Sequence, residues 1–170
     1  MIIDTLLHYS QATGVYSFMN SAWGWPLVES IHFIGLCMLI GCIGVFDLRM
    51  LGLGKGIPLA ALHKLVPIGV LGFLLNVTSG TLFFVTAPDQ YLYNPAFQTK
   101  LLFIAAAGIN MLSFYRFAMA DVKITNAYSR APSKAIVMGS ISLLCWSMVI
   151  ICGRLITYYR PPYHWCFWCV

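Results

Sequence analysis

Charged side chains are scarce in this chain of 170 residues: they make up 9% of it, with five acidic residues against ten lysines and arginines. Soluble domains of average composition carry about 25% charged residues, so this chain has too little polar surface for a soluble globule. Intrinsic disorder is excluded because it requires low hydrophobicity. A secreted disulfide scaffold is also excluded, in spite of six cysteines, because long apolar runs dominate the sequence.

Long hydrophobic runs dominate the sequence. Hydrophobic residues make up 60% of the chain, and four stretches reach the length of about 20 residues that crosses a hydrocarbon core. The sequence therefore predicts an all-α integral membrane protein, a four-helix bundle in a single membrane domain of residues 1–170. The predicted spans are 25–51, 58–86, 95–118 and 132–159. Pro67 predicts a kink in the second span or a first turn at the interface.

Two segments flank the predicted spans. Residues 1–24 lack the basic start of a signal peptide, and their apolar residues fit an amphipathic segment on the membrane surface. Residues 160–170 form a tail in which His164 precedes Cys166 and Cys169. This tail is compatible with a disulfide, with a metal site that takes His8 as fourth ligand, or with inert thiols. Haem of the c type is excluded because no histidine follows Cys169.

The basic residues are distributed unevenly between the two predicted membrane faces. Seven of them lie in or next to the two loops that join span one to two and span three to four: Arg49, Lys55, Lys64, Arg116, Lys123, Arg130 and Lys134. Cytoplasmic loops carry an excess of Lys and Arg. The sequence therefore places both termini on the outer, periplasmic side of a bacterial inner membrane. The basic charge marks topology and gives no support to nucleic-acid binding.

Four ionisable residues lie at a similar predicted depth. From the ends of their spans, Glu29 lies roughly 6 Å deep, His32 roughly 10 Å, and Lys100 and Arg154 roughly 8 Å, at a rise of about 1.5 Å per residue. Ionisable residues inside a membrane are functional candidates by default. The alternative is that Lys100 and Arg154 extend to the interface, with Glu29 as a counter-charge. His32 is either a ligand of a cofactor or a structural histidine whose ring nitrogens have hydrogen-bond partners.

The opposite end of the spans suggests structural roles. Asp47 and Arg49 predict an ion-pair network with Lys64 or Arg116. His63 is interpreted as an interfacial histidine, with a second, inner site as the alternative. Two pairs of small residues predict faces for close helix packing. These pairs are Gly41 with Gly44 and Gly69 with Gly72.

Several motifs resemble an uncharacterised family of four-helix bacterial membrane proteins over about residues 22–120. They are Trp25-Pro26, Glu29-Ser30-Ile31-His32-Phe33-Ile34-Gly35, Asp47-Leu48-Arg49, Gly80, Tyr93-Asn94-Pro95-Ala96-Phe97-Gln98-Thr99-Lys100 and Gly108-Ile109-Asn110. This family is distantly similar to the copper-resistance D membrane domain. It is also distantly similar to the four-helix membrane protoporphyrinogen oxidase, a b-haem protein. By position, the resemblance to the oxidase implies a haem site at His32 and Lys100. The compact form of that oxidase lacks the N-terminal segment and the cysteine tail.

Three functions follow as hypotheses. The first is a subunit that binds haem b and transfers electrons, between a membrane quinone and an outer redox partner. His32 would ligate the iron, Lys100 or Arg154 would pair with the propionates, and Glu29 would orient the imidazole or handle a proton. The second is copper acquisition or transport through His8, His164, Cys166, Cys169 and His32. The third is a non-catalytic subunit of a larger membrane complex or homo-oligomer. An electron-transfer subunit is favoured over a free-standing enzyme.

Overall fold

The computed structural model describes residues 2–161, and within that range all regular secondary structure is helical. A short 3₁₀ turn, Ile156–Tyr159, continues the last helix. The helices are α1 Ile2–Ala12, α2 Val15–Met19, α3 Gly24–Met50, α4 Leu59–His63, α5 Val66–Thr86, α6 Pro88–Tyr91, α7 Pro95–Phe117, α8 Met119–Lys123 and α9 Ser133–Leu155.

The four predicted spans are confirmed as helices that are long and apolar enough to cross a membrane. They run over Gly24–Met50, Leu59–Thr86, Pro95–Phe117 and Ser133–Tyr159. The second is built from α4 and α5, which are separated by a short break. Pro67 lies in the first turn of α5, where its missing N–H leaves no helical bond unmade. Pro67 therefore lies in a first turn, directly after the break that divides the span.

The bundle has two ends, distinguished by His32 and Asp47 of α3. The His32 end is the one at which α3 and α7 begin, and the Asp47 end is the one at which they finish. The N-terminal helices α1 and α2 pack at the His32 end, against α5 and its neighbours. The largest cluster of buried apolar side chains lies at the Asp47 end and includes Phe46, Met50, Leu59, Phe114 and Val122.

Helices α3 and α5 approach each other at a pair of glycines. A Cβ on Gly35 would lie 2.8 Å from the Gly72 carbonyl oxygen, so the two backbones are in direct contact. Gly69 continues this contact, because a Cβ there would meet Ile43 at 2.9 Å. Gly41 differs, since a Cβ there would have no neighbour within 4 Å. Of the two predicted glycine pairs, Gly69 with Gly72 is therefore the one that packs against another described helix.

The four long helices do not pack equally on all sides. Helix α3 packs on α5, α7 packs on α9, and α3 also contacts α9. The backbones of α5 and α7, which are both fully described, remain apart along most of their length. Side chains connect this side of the bundle at its two ends. Phe84 stacks on Phe97 with ring centroids 5.6 Å apart at the His32 end, and His63 Nε2 lies 3.0 Å from the Tyr115 hydroxyl at the Asp47 end.

Arg49 connects two loops at the Asp47 end instead of joining an ion pair. Its side chain is buried, Nε donates to the Ile57 carbonyl at 2.8 Å, and Nη2 donates to the Ala127 carbonyl. The Gly56 amide also donates to Ala127, at 3.2 Å. Within residues 2–161 the structure shows no pairing of Asp47 or Arg49 with Lys64 or Arg116, so the predicted network is wrong. Loop carbonyls have no helical partner and take up the guanidinium donors instead.

Candidate functional site

His32 is held by a hydroxyl on the neighbouring helix. The contact of Gly35 with Gly72 brings α5 close to α3, and two turns further along α5 Ser79 faces the imidazole. His32 Nδ1 lies 2.8 Å from Ser79 Oγ. Ser79 is buried and His32 is half-buried. The close helix packing therefore fixes the position of the ring.

The hydrogen-bond network assigns the proton on the neutral His32 ring. Ser79 Oγ lies 2.6 Å from the Leu75 carbonyl and donates its single proton there. Ser79 can then only accept from His32, so Nδ1 carries the hydrogen. The lone pair of Nε2 is left unprotonated, and the described residues show a hydrogen bond of the ring at Nδ1 alone. A neutral imidazole with a fixed Nδ1–H and a free Nε2 is the form that ligates metals.

Aromatic and small residues surround the His32 ring. Phe83 meets it edge-on at 5.8 Å between centroids, and Trp25 packs on Phe83 at 4.9 Å. A Cβ on Gly80 would lie 3.9 Å from His32 Cε1, so this glycine leaves room beside the ring. The sequence did not predict Ser79 and Phe83 as site residues. The available signal was a serine within the apolar span 58–86.

Lys100 is brought towards His32 by α7. It is close enough for its charge to act on the imidazole. Its Nζ lies 3.5 Å from the position that a Cβ on Gly153 would occupy, and it also lies near the buried Cys152. The ammonium group therefore reaches α9 across a gap that a side chain on Gly153 would fill. Lys100 therefore lies within electrostatic range of His32, and the described residues show no closer contact between the two.

Glu29 and Arg154 lie at the same end of the bundle but face outward. Both side chains are exposed, and the Arg154 guanidinium lies over the Tyr158 ring at 5.9 Å. The charges of Glu29 and Arg160 both act on the Tyr91 hydroxyl. Burial raises the pKa of the Tyr91 hydroxyl, the Arg160 charge opposes that shift, and the Glu29 charge adds to it. Within residues 2–161 the structure shows no direct contact of Glu29 or Arg154 with the imidazole.

The candidate ligands of the tail metal site lie partly outside the described residues. His8 is exposed on α1, and His164, Cys166 and Cys169 lie outside the described residues. Among the residues that are described, no group of three His, Cys, Asp or Glu side chains could hold a metal ion. The four cysteines of the spans, Cys37, Cys42, Cys145 and Cys152, are free thiols.

No family model matches the chain, and comparisons with curated proteins and with solved structures find no match either. The His32 site offers one unprotonated nitrogen, a fixed ring orientation and a nearby cation.

Proposed function

We propose that this protein is a multi-pass membrane subunit that binds haem b and transfers electrons, with His32 as an axial ligand of the iron. The observation that carries the proposal is the unprotonated Nε2 of His32. Two successive hydrogen bonds, from Nδ1 to Ser79 and from Ser79 to the Leu75 carbonyl, leave this nitrogen available. Haem iron receives four nitrogens from the porphyrin and needs only one or two ligands from protein. A single histidine is therefore sufficient.

The other residues of the His32 end supply charge and enclosure. The charge of Lys100 acts on the His32 ring, and this residue would pair with a propionate or serve as a second ligand of the iron. Phe83 and Trp25 exclude water from one side of the imidazole. Arg154 and Glu29 lie further out, where Arg154 would meet a propionate at the membrane interface. Bound haem would supply one-electron chemistry, and the chain would orient it and set its surroundings.

The proposal includes a placement in a bacterial inner membrane with both termini on the outer face. The His32 end would then lie in the outer leaflet, towards an outer redox partner. Support comes from the basic loop residues Lys55, Lys123 and Arg130, which fall at the Asp47 end, as the excess of cytoplasmic Lys and Arg requires. Residues 2–19 form α1 and α2, whose exposed apolar side chains, such as Ile2 and Phe18, would lie in the interface.

Reduced-minus-oxidised absorption spectra of the purified protein test the haem proposal. We expect a b-type band in the wild type and its loss in His32→Ala, because the substitution removes the iron ligand. His63→Ala is the matched control, since His63 lies at the opposite end and is engaged with Tyr115. Its spectrum should equal that of the wild type. A wild type without the band, or a band of equal size in His32→Ala, would end the proposal.

A further inference from the structure

A cavity of about 150 Å³ lies inside the bundle, in the half next to the Asp47 end. Its walls come from all four long helices and are mainly apolar, with Leu39, Phe46, Val70, Phe73, Ile104 and Trp146 among them. Asp47, Asn110 and Ser142 are polar residues of the lining. His32 is not part of it, so this cavity is separate from the proposed haem site.

The Asp47 carboxyl is the unusual feature of this cavity. The side chain is 3% exposed, and its Oδ2 has no hydrogen-bond partner within residues 2–161. Ser142 lies beside the same carboxyl, and the Asn110 amide group is engaged with the Met138 carbonyl at 2.9 Å. Buried polar side-chain atoms in native proteins nearly always have a partner. An unpartnered carboxyl oxygen at the wall of a cavity is therefore the mark of a missing ligand group.

The cavity is reached from the side of the bundle where α5 and α7 stay apart. Val70 and Phe73 of α5 and Ile104 and Gly108 of α7 line it. A Cβ on Gly108 would have no neighbour within 4 Å, so the chain leaves free space there. Both helices are long and apolar enough to span a membrane. A molecule dissolved in the bilayer would therefore enter between them.

We infer that this cavity binds the ring of a lipid-soluble phenol, such as a hydroquinone with an alkyl chain, through a hydrogen bond between a ring hydroxyl and Asp47. The volume indicates the ring, because an apolar cavity of about 150 Å³ accommodates benzene. A hydroxyl matches the carboxyl in either protonation state, since it both donates and accepts. An ammonium would need the charged form, and a carbonyl would need the protonated one. The alkyl chain would leave between α5 and α7.

Calorimetric titration of the full-length protein in lipid nanodiscs tests the polar contact. The two probes are decyl-hydroquinone, kept reduced, and its dimethyl ether, which has the same ring and chain but no hydroxyl. We expect the hydroquinone to bind the wild type at least about tenfold more tightly, the factor that corresponds to about 1.4 kcal/mol. In Asp47→Leu the two probes should bind equally. Asp47→Asn should keep part of the preference, because an amide oxygen also accepts a hydrogen bond.

Filling the cavity tests its location. Gly108→Phe should abolish binding of both probes, because the new ring occupies the free space beside Gly108. Gly41→Phe is the matched control, since a Cβ at Gly41 is equally uncrowded but Gly41 does not line the cavity. Gly108→Leu is a second, smaller cavity-filling substitution. It replaces Gly108→Phe if that variant lacks the cooperative unfolding transition of the wild type.

The inference is overturned by equal affinity of the two probes for the wild type, which would mark an acyl-chain site. It is also overturned by unchanged binding in folded Gly108→Phe or Gly108→Leu. His32→Ala should bind the hydroquinone as the wild type does, because the two sites lie in different halves of the bundle. A failed haem spectrum and a failed titration can therefore be told apart.

Discussion

At the scale of single residues, the Ser79 hydroxyl holds the His32 imidazole by accepting the hydrogen of Nδ1. Partners of this kind orient metal-ligating histidines, and their loss typically costs about 10- to 100-fold in metal affinity. We expect Ser79→Ala to weaken haem binding by about that factor, while the helix remains intact. Titration of haem into the apoprotein, followed by absorbance, measures the change.

Thr78→Ala provides the control for Ser79→Ala. Thr78 is the adjacent residue, and its hydroxyl also donates to a carbonyl four residues back in the same helix. Unlike Ser79, Thr78 is exposed, and the hydrogen bond of its hydroxyl stays within its own helix. The haem affinity of the Thr78→Ala variant should match that of the wild type. Equal losses in both variants would show that a general effect on α5, and not the bond to His32, controls binding.

Part of this site could be predicted from the sequence. Counting residues along the helix axis gave the depth of His32 and Lys100, and the structure brings these two together. The same count gave similar depths for Glu29 and Arg154, which are exposed. Depth along the axis does not determine rotation about it, and rotation decides which face a side chain occupies. The pairing with Ser79 also required the packing of α5 on α3, which the sequence does not contain.

At the scale of helices, the contact of α3 with α5 depends on the absence of a side chain at Gly72. A Cβ there would come within 2.8 Å of the Leu39 amide nitrogen, and backbone atoms cannot move aside cheaply. Overpacking of this kind typically costs about 1–3 kcal/mol. We expect Gly72→Ala to lower the free energy of unfolding by about that amount, measured by denaturation in mixed micelles. It should also weaken haem binding, because Ser79 would be displaced.

Gly41→Ala is the comparison for Gly72→Ala. It makes the same substitution in a spanning helix, but the new methyl group has no neighbour within 4 Å. Its stability should equal that of the wild type or exceed it by up to about 1 kcal/mol, since alanine favours a helix more than glycine does. Similar destabilisation in both variants would contradict the role assigned to the contact of Gly35 with Gly72.

The sequence predicts the spanning helices more reliably than their arrangement. Apolar runs have a length that the bilayer dictates, so the predicted span boundaries agree with the helix ends to within one residue. The gap between α5 and α7 was not predictable. A helix that is apolar on all sides has no hydrophobic stripe to mark its buried face. Lipid and protein interiors are similarly apolar, so the choice of neighbours depends on detailed shape.

At the scale of the whole molecule, the proposed orientation makes the two loops of the Asp47 end cytoplasmic. A green fluorescent protein inserted at Asn126, which is exposed in the loop between α8 and α9, should fluoresce. Alkaline phosphatase at the same site should be inactive, because it requires the outer compartment. Insertions after Asp89, between α5 and α7, should give the opposite pair of results. The reversed pattern would place His32 in the inner leaflet and overturn the proposed route to an outer partner.

The bonds of Arg49 have a consequence for how the molecule opens. One buried side chain donates to Ile57 in the loop after α3 and to Ala127 in the loop before α9, and the Gly56 amide adds a direct link between the loops. Neither loop can detach without exposing the donors that serve the other. Local unfolding therefore has to release both at once. The loops that contain Ile57 and Ala127, some 70 positions apart in the chain, would therefore open together as one cooperative unit next to the cavity.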